Sequence, residues 1–265
     1  MAYDSQNHSA HARVIAITNQ KGGVGKTTTS VNLAASLAQE GQRVLLIDLD
    51  PQGNATMGSG VEKNDLELSV YDSLMEPSET KSHVVVSEVA GFDLLPSNAD
   101  LTAAEVHLLE LTDKEQRLAQ AIEKVNLYYD YVLIDCPPSL NMLTLNALVA
   151  SDSVIIPMQC EYYALEGLSA LLNTISQVQE HINPRLEIEG ILRTMYDPRN
   201  RLSLEVSRQL FNHFADKVYR TVIPRNVRLA EAPSHGIPVL FHDRTSTGAK
   251  AYLALAGEII RRKHA

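Results

Sequence analysis

Residues 20–28 read Gln-Lys-Gly-Gly-Val-Gly-Lys-Thr-Thr, and the chain on either side is committed to regular structure. Upstream, Arg13-Val14-Ile15-Ala16-Ile17-Thr18-Asn19 is short, β-branched and apolar, the pattern of a strand buried on both faces. Downstream, Thr27 to Ala38 is a helical stretch that Gly41 closes as a C′ residue. A strand, a glycine-rich turn and a helix start, in that order, bring loop N–H groups and the positive helix end onto one anion. The ordinary loop of this kind is G-x-x-x-x-G-K-[ST], with the lysine on the β/γ oxygens of a nucleotide and the hydroxyl on magnesium. Here Gly25, Lys26 and Thr27 fill the last three places, with Val24 before and Thr28 after them. Gln20 stands where the first glycine belongs, and an additional lysine, Lys21, precedes Gly22 and Gly23. Lys26 serves the protomer's own phosphates. Lys21 has no obvious work there and is free to serve another's.

The rest of the chain alternates strand and helix patterns. Strands are expected near 13–19, 43–49, 130–135, 153–157 and 186–194. Helices are expected near 27–40, 99–110, 114–127, 140–151, 164–181, 202–214 and 246–263. Nearly all-apolar strands in such alternation imply a single α/β domain with a mostly parallel twisted sheet covered by helices on both faces, which with the loop at 20–28 reads as a P-loop NTPase. Ligands of such sheets sit at the carboxyl ends of the strands.

Two acidic clusters lie just there. Arg43-Val44-Leu45-Leu46-Ile47 runs into Asp48-Leu49-Asp50-Pro51-Gln52-Gly53. Pro51 and Gly53 oppose a continued strand, so Asp48 can turn toward a magnesium shell and Asp50 toward a water. Tyr131-Val132-Leu133-Ile134 ends in Asp135-Cys136-Pro137-Pro138-Ser139, the Walker B pattern in which a carboxylate holds magnesium directly or through water. With Thr27, these carboxylates and phosphate oxygens suffice for Mg²⁺, which keeps several waters. No Asn-Lys-x-Asp tetrapeptide selects guanine, so ATP is the expected nucleotide. No arginine finger is evident in cis, which points to slow intrinsic hydrolysis.

With 265 residues the chain can bury a large core, and it holds no apolar run of membrane-spanning length. Residues 1–12 are polar, lack an apolar signal region and read as a disordered tail, leaving 13–265 as the domain. Two cysteines, Cys136 and Cys160, suit a reducing cytoplasm. The net charge of −9 argues against a nucleic-acid partner, but its distribution argues for one. Residues 1–192 hold 10 Lys and Arg against 26 Asp and Glu, whereas 193–265 hold 13 against 6. Eight of the basic residues lie between Arg193 and Arg228.

In their order and wording, these motifs, together with Ile223-Pro224-Arg225-Asn226-Val227-Arg228-Leu229-Ala230-Glu231-Ala232-Pro233, resemble the bacterial ParA/Soj chromosome-partitioning ATPases over residues 13–263. The missing first glycine is a trait of that family's deviant Walker A loop. The resemblance implies an ATP-dependent homodimer in which Lys21 reaches the partner's nucleotide and Lys26 and Thr27 hold the protomer's own phosphates and magnesium. It implies that Asp50 orients the attacking water, that Asp48 and Asp135 lie near the ion, and that Pro224 and Asn226 line the adenine pocket. It also implies that Arg199 and Arg228, with Arg201 and Arg225 beside them, contact double-stranded DNA without reading sequence. A ParB/Spo0J-type centromere-binding protein would stimulate hydrolysis and release the DNA, in the cytoplasm and on the nucleoid.

Three rival readings share features with this chain. A MinD-like membrane ATPase needs an amphipathic membrane helix at the end of the chain, whereas Tyr252, Leu255 and Ile259 read as one face docked on the core, with no membrane partner. A reductase resembling the nitrogenase iron protein needs paired cluster cysteines, and neither Cys136 nor Cys160 has a second ligand nearby in sequence. A sequence-specific regulator needs a helix-turn-helix extension that the residues before 13 are too few to supply. The histidines are read as structural.

Overall fold

The computed structural model describes residues 11–263. The tail expected over 1–12 lies outside the described residues up to position 10, and Ala12 is already buried in the core. Eight strands form one sheet: β1 (Arg13–Ile17), β2 (Val44–Asp48), β3 (Val85–Ser87), β4 (Phe92–Leu95), β5 (Tyr131–Asp135), β6 (Ser153–Gln159), β7 (Glu187–Tyr196) and β8 (Val218–Pro224). Their order is β3-β4-β2-β5-β1-β6-β7-β8, and every pairing is parallel except β3 with β4.

Period-two alternation divides the strand side chains into two cores. Val14, Ala16, Leu45, Ile47, Val132 and Ile134 enter one layer, which the helices Leu101–Leu109, Arg117–Glu123, Met142–Ala150, Ala164–His181 and Arg201–Phe214 help to build. Ile15, Ile17, Val44, Leu46 and Leu133 enter the other, under the helices Lys26–Gln39 and Thr247–Lys263. With both faces covered, β1, β2 and β5 have no solvent side, which is why they read as continuous apolar runs.

The five expected strands and the long helices are present, so the α/β sheet with helices on both faces stands. Three strands went unforeseen. β3 and β4 are three and four residues long, and Val86 of β3 is exposed. β8 is an edge strand in which Arg220 and Thr221 interrupt the apolar pattern. The helix expected over 114–127 contracts to Arg117–Glu123, followed by a short 3-10 turn at Asn126–Tyr128.

Because β1 lies between β5 and β6 with β2 beyond β5, the carboxyl ends of these strands meet in one crevice. Asp48 and Asp135 are direct partners across β2 and β5, and Ile17, the last residue before the loop, pairs with Asp135.

Candidate functional site

The loop leaves β1 tethered to its neighbour. Thr18 N donates to Ile155 O (3.1 Å), and Asn19 Nδ2 donates to Pro157 O (2.8 Å) while its Oδ1 accepts from Lys21 N (2.9 Å). Gly23 and Gly25 have φ of +73° and +88°, a left-handed geometry in which a side chain would be strained. Gly25 then starts a 14-residue helix without a side-chain cap, so the first-turn N–H groups keep their capacity for an anion. Lys26 is buried, and its Nζ folds back onto Lys21 O (3.2 Å) within the loop it encircles. Burial pulls its ammonium below the ordinary lysine range, while the charges of Asp135 and Asp50 oppose that shift.

The carboxylates sit beneath this loop. Asp135 accepts from Thr27 Oγ1 (2.8 Å) and from Ser30 Oγ (2.7 Å). Asp48 accepts from Thr56 N and Thr56 Oγ1 (both 2.7 Å), and its other oxygen accepts from Asp50 N (3.2 Å). Neither Asp48 nor Asp135 is exposed to solvent, and burial, followed for Asp135 by the negative charge of Asp48, drives both upward from the ordinary carboxylate range. Two buried carboxylates side by side, with a threonine hydroxyl between one of them and the loop, suit a divalent cation that offsets their repulsion. Among the described residues no cluster of three His, Cys, Asp or Glu stands ready to hold a metal.

Asp50 diverges from Asp48. It is half-buried, its carboxylate accepts from Gln52 N (2.9 Å), and its carbonyl accepts from Ser97 Oγ (2.8 Å). Lys21 lies outside the loop's interior: its Nζ donates to Glu161 Oε2 (2.6 Å), with 45% of the lysine side chain exposed. Gly22 and Gly23 are open to solvent beside it, and Val24 is buried. Thr28 accepts at its carbonyl from Asn32 Nδ2 (2.7 Å). Pro224 ends β8, and Asn226 caps the short helix Val227–Glu231 through Leu229 N (3.3 Å) and donates to Thr247 Oγ1 (2.8 Å).

The basic residues separate into groups. Arg199 and Arg225 follow β7 and β8 and are both exposed. Arg199 makes a forked contact with Asp197, which with help from Arg225 holds that carboxyl at about 2. Arg201 is exposed at the start of its helix, and Arg228 pairs with Glu231 (2.7 Å) and Asp243 (3.4 Å). Arg193 is different: it is buried, donates to Ser207 Oγ, Tyr219 O and Arg220 O, and lies over the Phe211 ring. Its charge counts toward the basic segment but its side chain holds β7, β8 and a helix together. Lys217 and Arg220 lie toward the amino end of β8, away from Arg225.

Sequence reasoning missed several residues that shape the site. Ser30, Thr56, Asn19 and Thr194 all bind it through hydrogen bonds, Thr194 from 170 residues away on β7. Only Ser30 had a local signal, one helical turn after Lys26. A surface groove of about 1280 Å³ is at the amino ends of β1, β7 and β8. It is lined by self-paired charges such as Arg13 with Glu189 and Arg262 with Glu258, far from the carboxyl-end crevice. Cys136 and Cys160 are buried free thiols, both pushed up by burial, Cys160 to about 11. No helix of the described residues is long and apolar enough to cross a membrane.

Comparison with known proteins gives concordant matches. A family model described as an AAA domain matches residues 12–188. The sporulation initiation inhibitor protein Soj of Bacillus subtilis is 57% identical over 247 residues, covering 93% of this chain and 98% of its own. The chromosome partitioning protein ParA of Caulobacter vibrioides is 52% identical over 253 residues, 95% of each chain. Among solved structures, one described as cobyrinic acid a,c-diamide synthase from Mycobacterium smegmatis, with bound ADP and magnesium, has a TM-score of 0.84 at 40% identity and covers 96% of both chains.

Proposed function

The chain belongs to the ParA/Soj family of chromosome-partitioning ATPases, and from that premise we propose that it segregates DNA as a nucleotide-switched homodimer. ATP is its substrate and Mg²⁺ its metal. Lys26 and the backbone of Gly22, Gly23, Val24, Gly25, Thr27 and Thr28 take the phosphates of the protomer's own nucleotide. Thr27 Oγ1 would hold the metal, with Asp135 fixing that hydroxyl and Asp48 completing the acidic floor. A bound magnesium ion would neutralise charge on the β and γ oxygens. Asp50 orients the attacking water, and Pro224 and Asn226 line the adenine. Asn226 gives up its bond to Thr247 or shares it when the base enters. Lys21 releases Glu161 and crosses to the partner protomer's phosphates. Arg199, Arg201, Arg225 and Arg228 hold double-stranded DNA by its backbone, without base readout. A ParB/Spo0J-type partner stimulates the slow intrinsic hydrolysis, which separates the protomers and frees the DNA. This cycle runs in the cytoplasm on the nucleoid, with no membrane step.

The observation that carries the dimer reading is the division of labour between the two loop lysines. Lys26 is buried in the loop, whereas Lys21 is on the surface in an ion pair that water can screen. The deciding experiment measures ATP turnover and ATP-dependent dimerisation for wild type and Lys21→Ala, with non-specific duplex and a ParB-type partner. Wild type dimerises and is stimulated; Lys21→Ala binds ATP but does neither. Normal dimerisation of Lys21→Ala with ATP would remove the cross-protomer role.

A further inference from the structure

One strand end joins the phosphate loop to the exposed basic loop. Thr194, 2% exposed, donates its Oγ1 to Val24 O (2.7 Å), and its methyl stands 3.8 Å from where a Cβ on Gly25 would lie. The next residue, Met195, has φ of +46°, the one left-handed non-glycine among the described residues. Gln159 Nε2, at the end of β6, donates to the Met195 sulfur (2.7 Å). The β7–β8 register is irregular between Arg193 and Tyr196, where this residue sits. Two residues on, Asp197 accepts from Arg199 N (3.0 Å) and clasps the Arg199 guanidinium, and Asn200 then caps the helix that begins at Arg201.

Loop and basic segment are therefore separated by a single buried hydrogen bond and a few residues of chain. A β-branched or long side chain avoids left-handed backbone unless its surroundings impose it, and such strain collects where two conformations compete. A shift of the Val24 carbonyl on nucleotide binding acts directly on Thr194. The strained joint at Met195 offers a second backbone state for Asp197 to Arg201 to relax into.

We propose that Thr194 and Met195 are the positioning pair through which the nucleotide state of the phosphate loop sets the conformation of residues 197–201. The consequence for DNA rests on the function proposed above; the link between the two loops does not.

The test is amide hydrogen exchange on the full chain with and without Mg²⁺ and adenylyl imidodiphosphate, for wild type, Thr194→Val, Thr194→Ser and Met195→Gly. In wild type, nucleotide alters exchange in both 20–28 and 194–204. Thr194→Val retains the response in 20–28 and loses most of that in 194–204, and Thr194→Ser, which keeps the hydroxyl, restores it. Met195→Gly, which relieves the strain and removes the Gln159 contact while leaving the Thr194 hydroxyl in place, also weakens the distant response. A wild-type protein with no nucleotide response in 194–204, or a Thr194→Val protein with the full one, overturns the proposal. Retention of a random-sequence duplex is measured on the same samples. A wild type that shows the exchange coupling but no nucleotide-dependent retention supports the link and refutes the DNA-binding role.

Discussion

Asp135 has two tasks that cannot be separated by inspection of its strand. It ends β5, and it receives the hydroxyls of Thr27 and Ser30, so it fixes the oxygen proposed above to meet the metal. Asparagine keeps the shape but replaces one acceptor with a donor facing a hydroxyl, and removes a charge behind the ion. Asp135→Asn is expected to weaken magnesium affinity about 10–100-fold, read as the Mg²⁺ concentration giving half-maximal ATP turnover. An unchanged magnesium dependence would assign Asp135 to folding alone. At this scale the sequence was legible where a residue type had a local frame. Asp135 closes an apolar run, and Lys26 and Thr27 open a helix. Thr56 and Thr194 had no such frame, because each acts through hydrogen bonds to a segment its neighbours in sequence do not reveal.

The helix Thr247–Lys263 was the element on which membrane attachment and core docking gave opposite readings. Its Tyr252, Leu255 and Ile259 are at most 1% exposed and pack into the layer shared with the helix Lys26–Gln39. Tyr252 also shares a hydrogen bond with Thr29 (3.2 Å), so the helix braces the element that follows the phosphate loop. Leu255→Ala therefore leaves a cavity in a packed core and is expected to cost about 2–5 kcal/mol, seen as a thermal transition several degrees lower. An unchanged transition would mean that the apolar face is not held on the sheet. Elements were readable when burial on both faces forced a continuous apolar pattern, as in β1, β2, β5 and β6. Edge strands β3 and β8 escaped because each is paired on one side only, and partial exposure lets polar residues into the pattern.

For the whole molecule, what matters is how an acidic chain distributes its charge. The basic excess of residues 193–265 does not become one surface. Arg193 is consumed inside, Lys217 and Arg220 lie toward the amino end of β8, and Arg199 and Arg225 come together where β7 and β8 end. If a dimer uses this edge on DNA, Arg199→Ala removes one phosphate contact from each protomer. The slope of log affinity against log salt is then expected to become shallower by about 2, with affinity falling alike for all duplex sequences. A loss confined to one sequence would contradict backbone recognition, and no loss would remove Arg199 from the interface.

The order of the motifs along the chain determined the buried strands, the loop and the identity of the two lysines, because each of those depends on residues within one strand, turn or helix start. Folding decided everything that depends on strands adjacent in space and distant in sequence. It set Asp48 against Asp135 across β2 and β5, drew Lys21 to Glu161, and hung Thr194 on the back of the phosphate loop. It also chose which arginines face solvent, since charge is a property of the residue but exposure belongs to the packed layers around it.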